Sequence, residues 1–311
     1  MLTYLIILLD DTSASYCHYA NNNKKQRLID LDVLKRGIVW AMKENLNIQF
    51  VYPDYELPDA YKEAIRSIDH TKIKPIEQAD EADVIVLDSW ENEAPEGATC
   101  IIHSSCQELA DHLPTLQEWL MRVARLNAVL TDVETFTDED IDSYKHTLEL
   151  IADRIVETYQ TGRSVQLNLL TDRLILKEMN NCNAGINNVT LAPNGKFYLC
   201  PAFYYEDDSQ SVGDLTTGLD IRNQQLLQLD HAPICRVCDA YHCRRCVWMN
   251  GRLTGDMNTP SHQQCVVAHI ERNASCYLQR KLEEAGIQMR DSQPIKEQKE
   301  LDPFNIVNKW K

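Results

Sequence analysis

The sequence predicts an α/β protein with a mostly parallel sheet over residues 1–175, a small cysteine-rich region over 176–290 and a polar tail over 291–311. Three observations predict it. Short apolar runs of strand length alternate with helix-period segments through the first half. The texture changes near Lys177, where Asn, Gly and Cys become frequent. Eight of the eleven cysteines then fall between Cys182 and Cys276.

Tyr4–Leu9 is an apolar run of strand length, and Leu31, Leu34, Ile38 and Ala41 repeat at helical spacing. Asn47–Tyr52 reads as a strand ending at Pro53, Pro58–Ile68 as a helix, and Val84–Leu87 and Cys100–His103 as short apolar strands. Leu109–Leu126 is helix-periodic, with Ala128–Leu130 a strand after it. Thr137 can cap a long helix to about Thr161, with Asp138, Glu139 and Asp140 where the helix dipole favours negative charge. Val165–Leu169 closes the series. Beyond Lys177, Val189–Leu191, a Pro193-Asn194-Gly195 turn and Phe197–Leu199 read as a hairpin. Ser209–Thr217 is turn-rich, and residues 231–265 have little periodicity. A helix follows Cys265 to about Ala285, and the tail from Ser292 is polar and poorly ordered.

With 311 residues, 44% hydrophobic and 25% charged, the chain has the composition of a soluble globular protein that buries a core without staples. The formal charge of −16 argues against a nucleic-acid partner, since polyanions are held by basic patches. Acidic residues bunch over 77–96 and 130–160; they read as solvated faces, or as a surface attracting a basic peptide or protein. No segment approaches the roughly 18 apolar residues of a membrane helix. The first residues lack the positive charge and cleavage site of a signal peptide, so a cytoplasmic location and no membrane partner are expected. In that reducing compartment, cysteines so concentrated argue for metal rather than disulfides.

The strongest signal is Cys235-Arg-Val-Cys238-Asp-Ala-Tyr-His-Cys243-Arg-Arg-Cys246, a CxxC-x4-CxxC strip. Two-residue gaps let successive thiolates turn toward one ion or cluster, and thiolate is the soft ligand that zinc and iron–sulfur clusters prefer. Zinc ribbons and fingers put some 12–20 residues between ligand pairs. Only four intervene here, so one zinc on all four sulfurs would need a very tight knot. Two centres sharing the strip are easier to build, with Cys182, Cys200 and Cys265 available as further ligands. Arg236, Arg244 and Arg245 either offset the clusters' negative charge or are exposed loop residues.

The order Cys182, Gly195-x4-Cys200, Cys235-x2-Cys238-x4-Cys243-x2-Cys246 and Cys265 resembles the SPASM domain, the C-terminal extension of many radical SAM enzymes that modify ribosomally made peptides. It keeps all seven cysteines and shortens two gaps by one residue each. The resemblance implies two auxiliary [4Fe–4S] clusters: an outer one on Cys235, Cys238, Cys243 and Cys265, and an inner one on Cys182, Cys200 and Cys246. The inner cluster's fourth iron is then open, able to bind a substrate thiolate, or filled by Cys276 or another group.

A radical SAM enzyme also needs CxxxCxxC after its first strand. The stretch Leu9-Asp10-Asp11-Thr12-Ser13-Ala14-Ser15-Tyr16-Cys17-His18-Tyr19 has one cysteine, so the usual cleavage of S-adenosylmethionine, and a site for it, are not expected. The layout of residues 4–45 resembles the start of a degenerate radical SAM-like partial (β/α) barrel. Leu8–Tyr19, Leu34–Asn45 and Val51–Leu57 together are similar to the CXXX repeat peptide maturase family. That resemblance implies a role in maturing a ribosomally made, cysteine-rich precursor peptide. The chain would be the modifying enzyme, or an electron-transfer or peptide-presenting partner of a complete radical SAM enzyme. The alternative is a non-catalytic scaffold whose cysteines hold zinc, which has no redox chemistry.

Other candidates have plainer readings. Cys17 is a relic, a reactive thiol or an odd ligand, and more often such a residue is inert. Cys100 reads as core and Cys106 as the opening of a helix, despite the metal-compatible His103 between them. Cys276 reads as helix packing, and His231, His242 and His262 as hydrogen-bond partners of ligands. No catalytic residue can be assigned: there is no phosphate-binding glycine loop and no nucleophilic triad to claim.

Overall fold

The computed structural model describes residues 2–295. Strands and helices alternate as β1 (Tyr4–Leu8), α1 (Leu31–Lys43), β2 (Asn47–Val51), α2 (Asp59–Arg66), β3 (His70–Pro75), β4 (Val84–Leu87), β5 (Thr99–Ser104), α3 (Cys106–Asp111), α4 (Leu113–Leu120), β6 (Arg125–Leu130), α5 (Asp138–Gln160), β7 (Gln166–Leu167) and α6 (Thr171–Ile175). They continue as β8 (Asn188–Leu191), β9 (Phe197–Tyr198), α7 (Pro201–Glu206), β10 (Gly213–Asp214), β11 (Gly218–Leu219), α8 (Val247–Thr254) and α9 (His262–Glu284). The polar tail expected from Ser292 lies, from residue 296 on, outside the described residues.

The chain packs as two units, each made of two stretches. The first takes the chain up to Asp88 with Asn183–His231; the second takes Ser89–Cys182 with the chain from Ala232. The composition changes near Lys177, but the packing units interleave across that point.

In the first unit the strands run β4-β3-β2-β1-β8-β9. All neighbours are parallel except the hairpin of β8 and β9. β1 lies inside this sheet and buries four of its five side chains, as a strand covered on both faces does. Leu34, Ile38 and Ala41 of α1 pack against Leu5, Ile7, Ile48, Phe50 and Leu191. Asp30 starts α1 by accepting the Asp32 and Val33 N–H groups. The hairpin turns at Gly195, where φ is +79°. Its first strand is more than half a hairpin: β8 also pairs with β1, Tyr4 opposite Asn188.

Gly213 holds φ at +124°, and a Cβ there would stand 2.0 Å from the Gly218 carbonyl oxygen. Gly213→Ala is therefore expected to open the β10–β11 pairing and to cost on the order of 2 kcal/mol, read as a lower urea midpoint. An unchanged midpoint would show that the hairpin does not need this close approach.

In the second unit β5, β6 and β7 are parallel, and α5 packs on α3, α4 and α9. α5 begins with a capping box between Thr137 and Asp140 and runs as the sequence suggests. The helix expected over Leu109–Leu126 does not form as one piece. It breaks at His112, α4 restarts with a proline in its first turn, and Leu126 belongs to β6, where it pairs with Cys100 of β5. The strand expected over Val165–Leu169 contracts to β7. β3, α6, α7 and α8 carry no strong periodicity and were not foreseen; in His70-Thr-Lys-Ile-Lys-Pro75 only Ile73 is buried. α9 opens three residues before Cys265, capped by Ser261 with Gln264 in return. Among the described residues no helix is long and apolar enough to cross a membrane.

Candidate metal centre

Six of the seven cysteines singled out by spacing lie in the second unit: Cys182, Cys235, Cys238, Cys243, Cys246 and Cys265. Cys200 lies in the first, at the N-cap of α7. All eleven cysteines are free of disulfides.

Three sulfurs of the strip take backbone donors. The Ala240 N–H points to Cys238 Sγ at 3.4 Å, and the Met249 N–H to Cys246 Sγ at 3.4 Å, where Cys246 caps α8. Cys243 accepts from the Arg245 backbone. Sulfurs that receive N–H groups are set up as acceptors, the role of a thiolate ligand.

Arg245 is the buried cation among them, 3% exposed, whereas Arg236 and Arg244 face solvent. Its Nε donates to Asn181 Oδ1 at 3.2 Å and its Nη1 to Asn258 Oδ1 at 2.5 Å. Burial works against its charge, and Cys235, Cys182, Cys243 and Cys246 around it favour that charge. Of the two sequence readings of the arginines, the exposed loop fits Arg236 and Arg244 and does not fit the buried Arg245.

Burial, together with Cys238 and Cys235 nearby, pushes the Cys243 thiol up to about 12. Burial also raises Cys235, and Arg245 opposes that shift. Without a cation these thiols stay protonated at neutral pH, so metal uptake here releases protons.

The metal-ligating atoms of Cys238, Asp239 and His269 all lie within 4.8 Å of one another. Cys238 Sγ is 3.3 Å from His269 Nε2. Among the described residues no three cysteine sulfurs approach that closely. Asp239 accepts from the Arg272 Nε at 2.8 Å and faces Arg173 at 3.9 Å. His242, beside Cys243, contacts Glu271 Oε2 through Nε2 at 3.0 Å, and Tyr144 donates to the other Glu271 oxygen at 2.7 Å. Sequence reasoning missed His269, Asn181 and Asn258. His269 was visible as one turn beyond Cys265 on the same helix face; the two asparagines carry no such signal.

Cys100 is core in β5 and Cys106 opens α3; burial pushes both thiols up to about 11, as suits inert cysteines. Cys276 is half-buried on α9, and His231 and His262 are exposed.

In the first unit, the loop after β1 is closed by its own polar contacts. Tyr55 donates to Asp10 Oδ2 at 2.8 Å, and Thr12 donates its N–H and hydroxyl to Asp10 Oδ1. Asp11 pairs with Arg27 at 2.8 Å, and the Tyr204 hydroxyl hydrogen-bonds Asp11. Burial and the Asp10 carboxylate raise Tyr55 above the ordinary tyrosine range, and burial and Asp11 do the same for Tyr204. Cys17 is half-buried in this loop.

No family model and no curated protein matches the chain. Among solved structures it is similar to a hexahistidine-tagged anSMEcpe with bound AdoMet, at TM-score 0.56 and 12% identity, over 93% of this chain and 100% of that one. It is also similar to Streptococcus suis SuiB bound to precursor peptide SuiA, at TM-score 0.41 and 14% identity, over 72% of this chain and 64% of that one. At 12% identity the first likeness shows the fold alone. That fold is a mixed α/β partial barrel with a mostly parallel sheet.

Proposed function

We propose that the chain is an iron–sulfur protein that acts in the maturation of a ribosomally made, cysteine-rich peptide. It serves as the modifying enzyme, or as an electron-transfer or peptide-presenting partner of a complete radical SAM enzyme. The observation that carries the iron–sulfur part is the gathering of Cys182, Cys235, Cys243 and Cys246 around the buried Arg245. A buried guanidinium amid four cysteines is repaid when the cysteines carry the net negative charge of a thiolate-ligated cluster. The seven ligands are Cys182, Cys200, Cys235, Cys238, Cys243, Cys246 and Cys265, and they would hold two [4Fe–4S] clusters. Such clusters supply one-electron transfer. The chain's own residues hold the ligands, shield them from water and balance their charge. Support for the peptide comes from the family resemblance of the sequence, and the radical SAM-related fold agrees with it.

A second reading is a zinc-stabilised binding scaffold. Four thiolates on one zinc stand about 3.8 Å apart. No three cysteine sulfurs here lie within 4.8 Å of one another among the described residues. What favours a single ion is the close set of Cys238, Asp239 and His269.

Metal and sulfide content of protein purified without oxygen, with an EPR spectrum after dithionite reduction, decides between them. About eight iron and eight labile sulfide per chain are expected. About two zinc, no sulfide and no signal would sink the cluster reading and leave the scaffold.

A further inference from the structure

We propose that His269 is a positioning residue for the cluster that Cys238 holds, donating Nε2–H to the cysteine sulfur and raising the centre's reduction potential. This rests on the iron–sulfur reading above. His269 is 2% exposed and its Nε2 lies 3.3 Å from Cys238 Sγ. The Ala240 N–H meets the same sulfur from the backbone at 3.4 Å. α9 fixes the histidine, because His269 stands one helical turn after Cys265, a ligand expected at the same cluster.

The alternative role for the imidazole is a ligand on one ion shared with Cys238 and Asp239. Two such ligands on a tetrahedral ion would stand about 3.6 Å apart, close to the separation seen, so distance alone does not choose. Charge does. Asp239 already faces the guanidiniums of Arg272 at 2.8 Å and Arg173 at 3.9 Å, and a divalent ion added there would meet both. A hydrogen bond adds no charge at that point.

An N–H dipole aimed at a ligating sulfur stabilises negative charge on the cluster. The reduced cluster carries one more negative charge than the oxidised one, so the reduced state gains more and the potential rises. Burial of the imidazole strengthens the effect, since a hydrogen bond is electrostatically stronger away from water.

The test is a mediated redox titration of the full-length, anaerobically reconstituted protein, read by EPR. His269→Leu removes the donor, and His269→Gln returns an amide N–H near the same place. The potential should fall in the leucine variant and recover most of that loss in the glutamine variant. Pulsed EPR on wild type with 15N-labelled histidine needs no variant and covers the case in which His269→Leu fails to fold. A weak coupling through a hydrogen bond is expected. A strong coupling of directly bound nitrogen would make His269 a ligand and overturn the proposal. So would loaded variants whose potentials match wild type. A wild-type protein that takes up no iron overturns the cluster reading itself, an outcome separable from the other two by metal content alone.

Discussion

Cys243→Ser is expected to remove about four of about eight iron atoms per chain, with labile sulfide falling in step. Cys243 sits in the strip, where burial, together with Cys238 and Cys235 nearby, raises its thiol to about 12. Serine offers a harder and shorter ligand that iron–sulfur clusters hold poorly. The control is Cys100→Ser, whose sulfur is buried in β5 with its shift due to burial alone. That variant should keep its iron and lose only stability. Equal iron in wild type and Cys243→Ser, by direct assay, would remove Cys243 from the ligand set.

Arg245→Leu should cost about 3 kcal/mol in urea unfolding and release iron at a lower urea concentration. The substitution strips the donors from Asn181 Oδ1 and Asn258 Oδ1 and takes the buried positive charge from among four cysteines. Arg245→Lys keeps the charge but cannot bond both asparagines in the same fork, so it should fall between the two. Arg244→Leu, on the exposed neighbour, should be nearly silent. If the two leucine variants unfold alike, the charge-offset role of Arg245 is wrong.

Much of the fold was legible where a local pattern and the burial agree. The apolar runs in β1, β2, β4 and β5 announced themselves, and so did α1 and α5, whose caps and periodicity point the same way. β3 was hidden because its alternating Lys72 and Lys74 leave a single buried side chain, and its strand state comes from backbone pairing with β2 and β4. The break at His112 was hidden because leucines continue through it at helical spacing. The pairing of β8 with β1 is a long-range choice that no local window contains.

The candidate site divides in the same way. Cysteine spacing is a local signal and was read directly. Which of Arg236, Arg244 and Arg245 turns inward depends on Asn181 and Asn258, far off in sequence. His269 was within reach as Cys265-x3-His269 on a helix, where one turn separates the two.

The interleaving of the two units has a consequence for synthesis on the ribosome. β1 leaves the tunnel first, yet one of its two neighbours, β8, is made only after all of the strands from β2 to β7. α5 likewise waits for α9, the last helix among the described residues, to cover it. Neither unit can close on its own first segment as it emerges, so each waits for its second segment, Asn183–His231 for the first unit and the chain from Ala232 for the second. Cys182, Cys235, Cys238, Cys243 and Cys246, all of the second unit, therefore spend that interval open to solvent and to oxidants. The docking of α9, which brings Cys265 and His269, is the event that ends the interval.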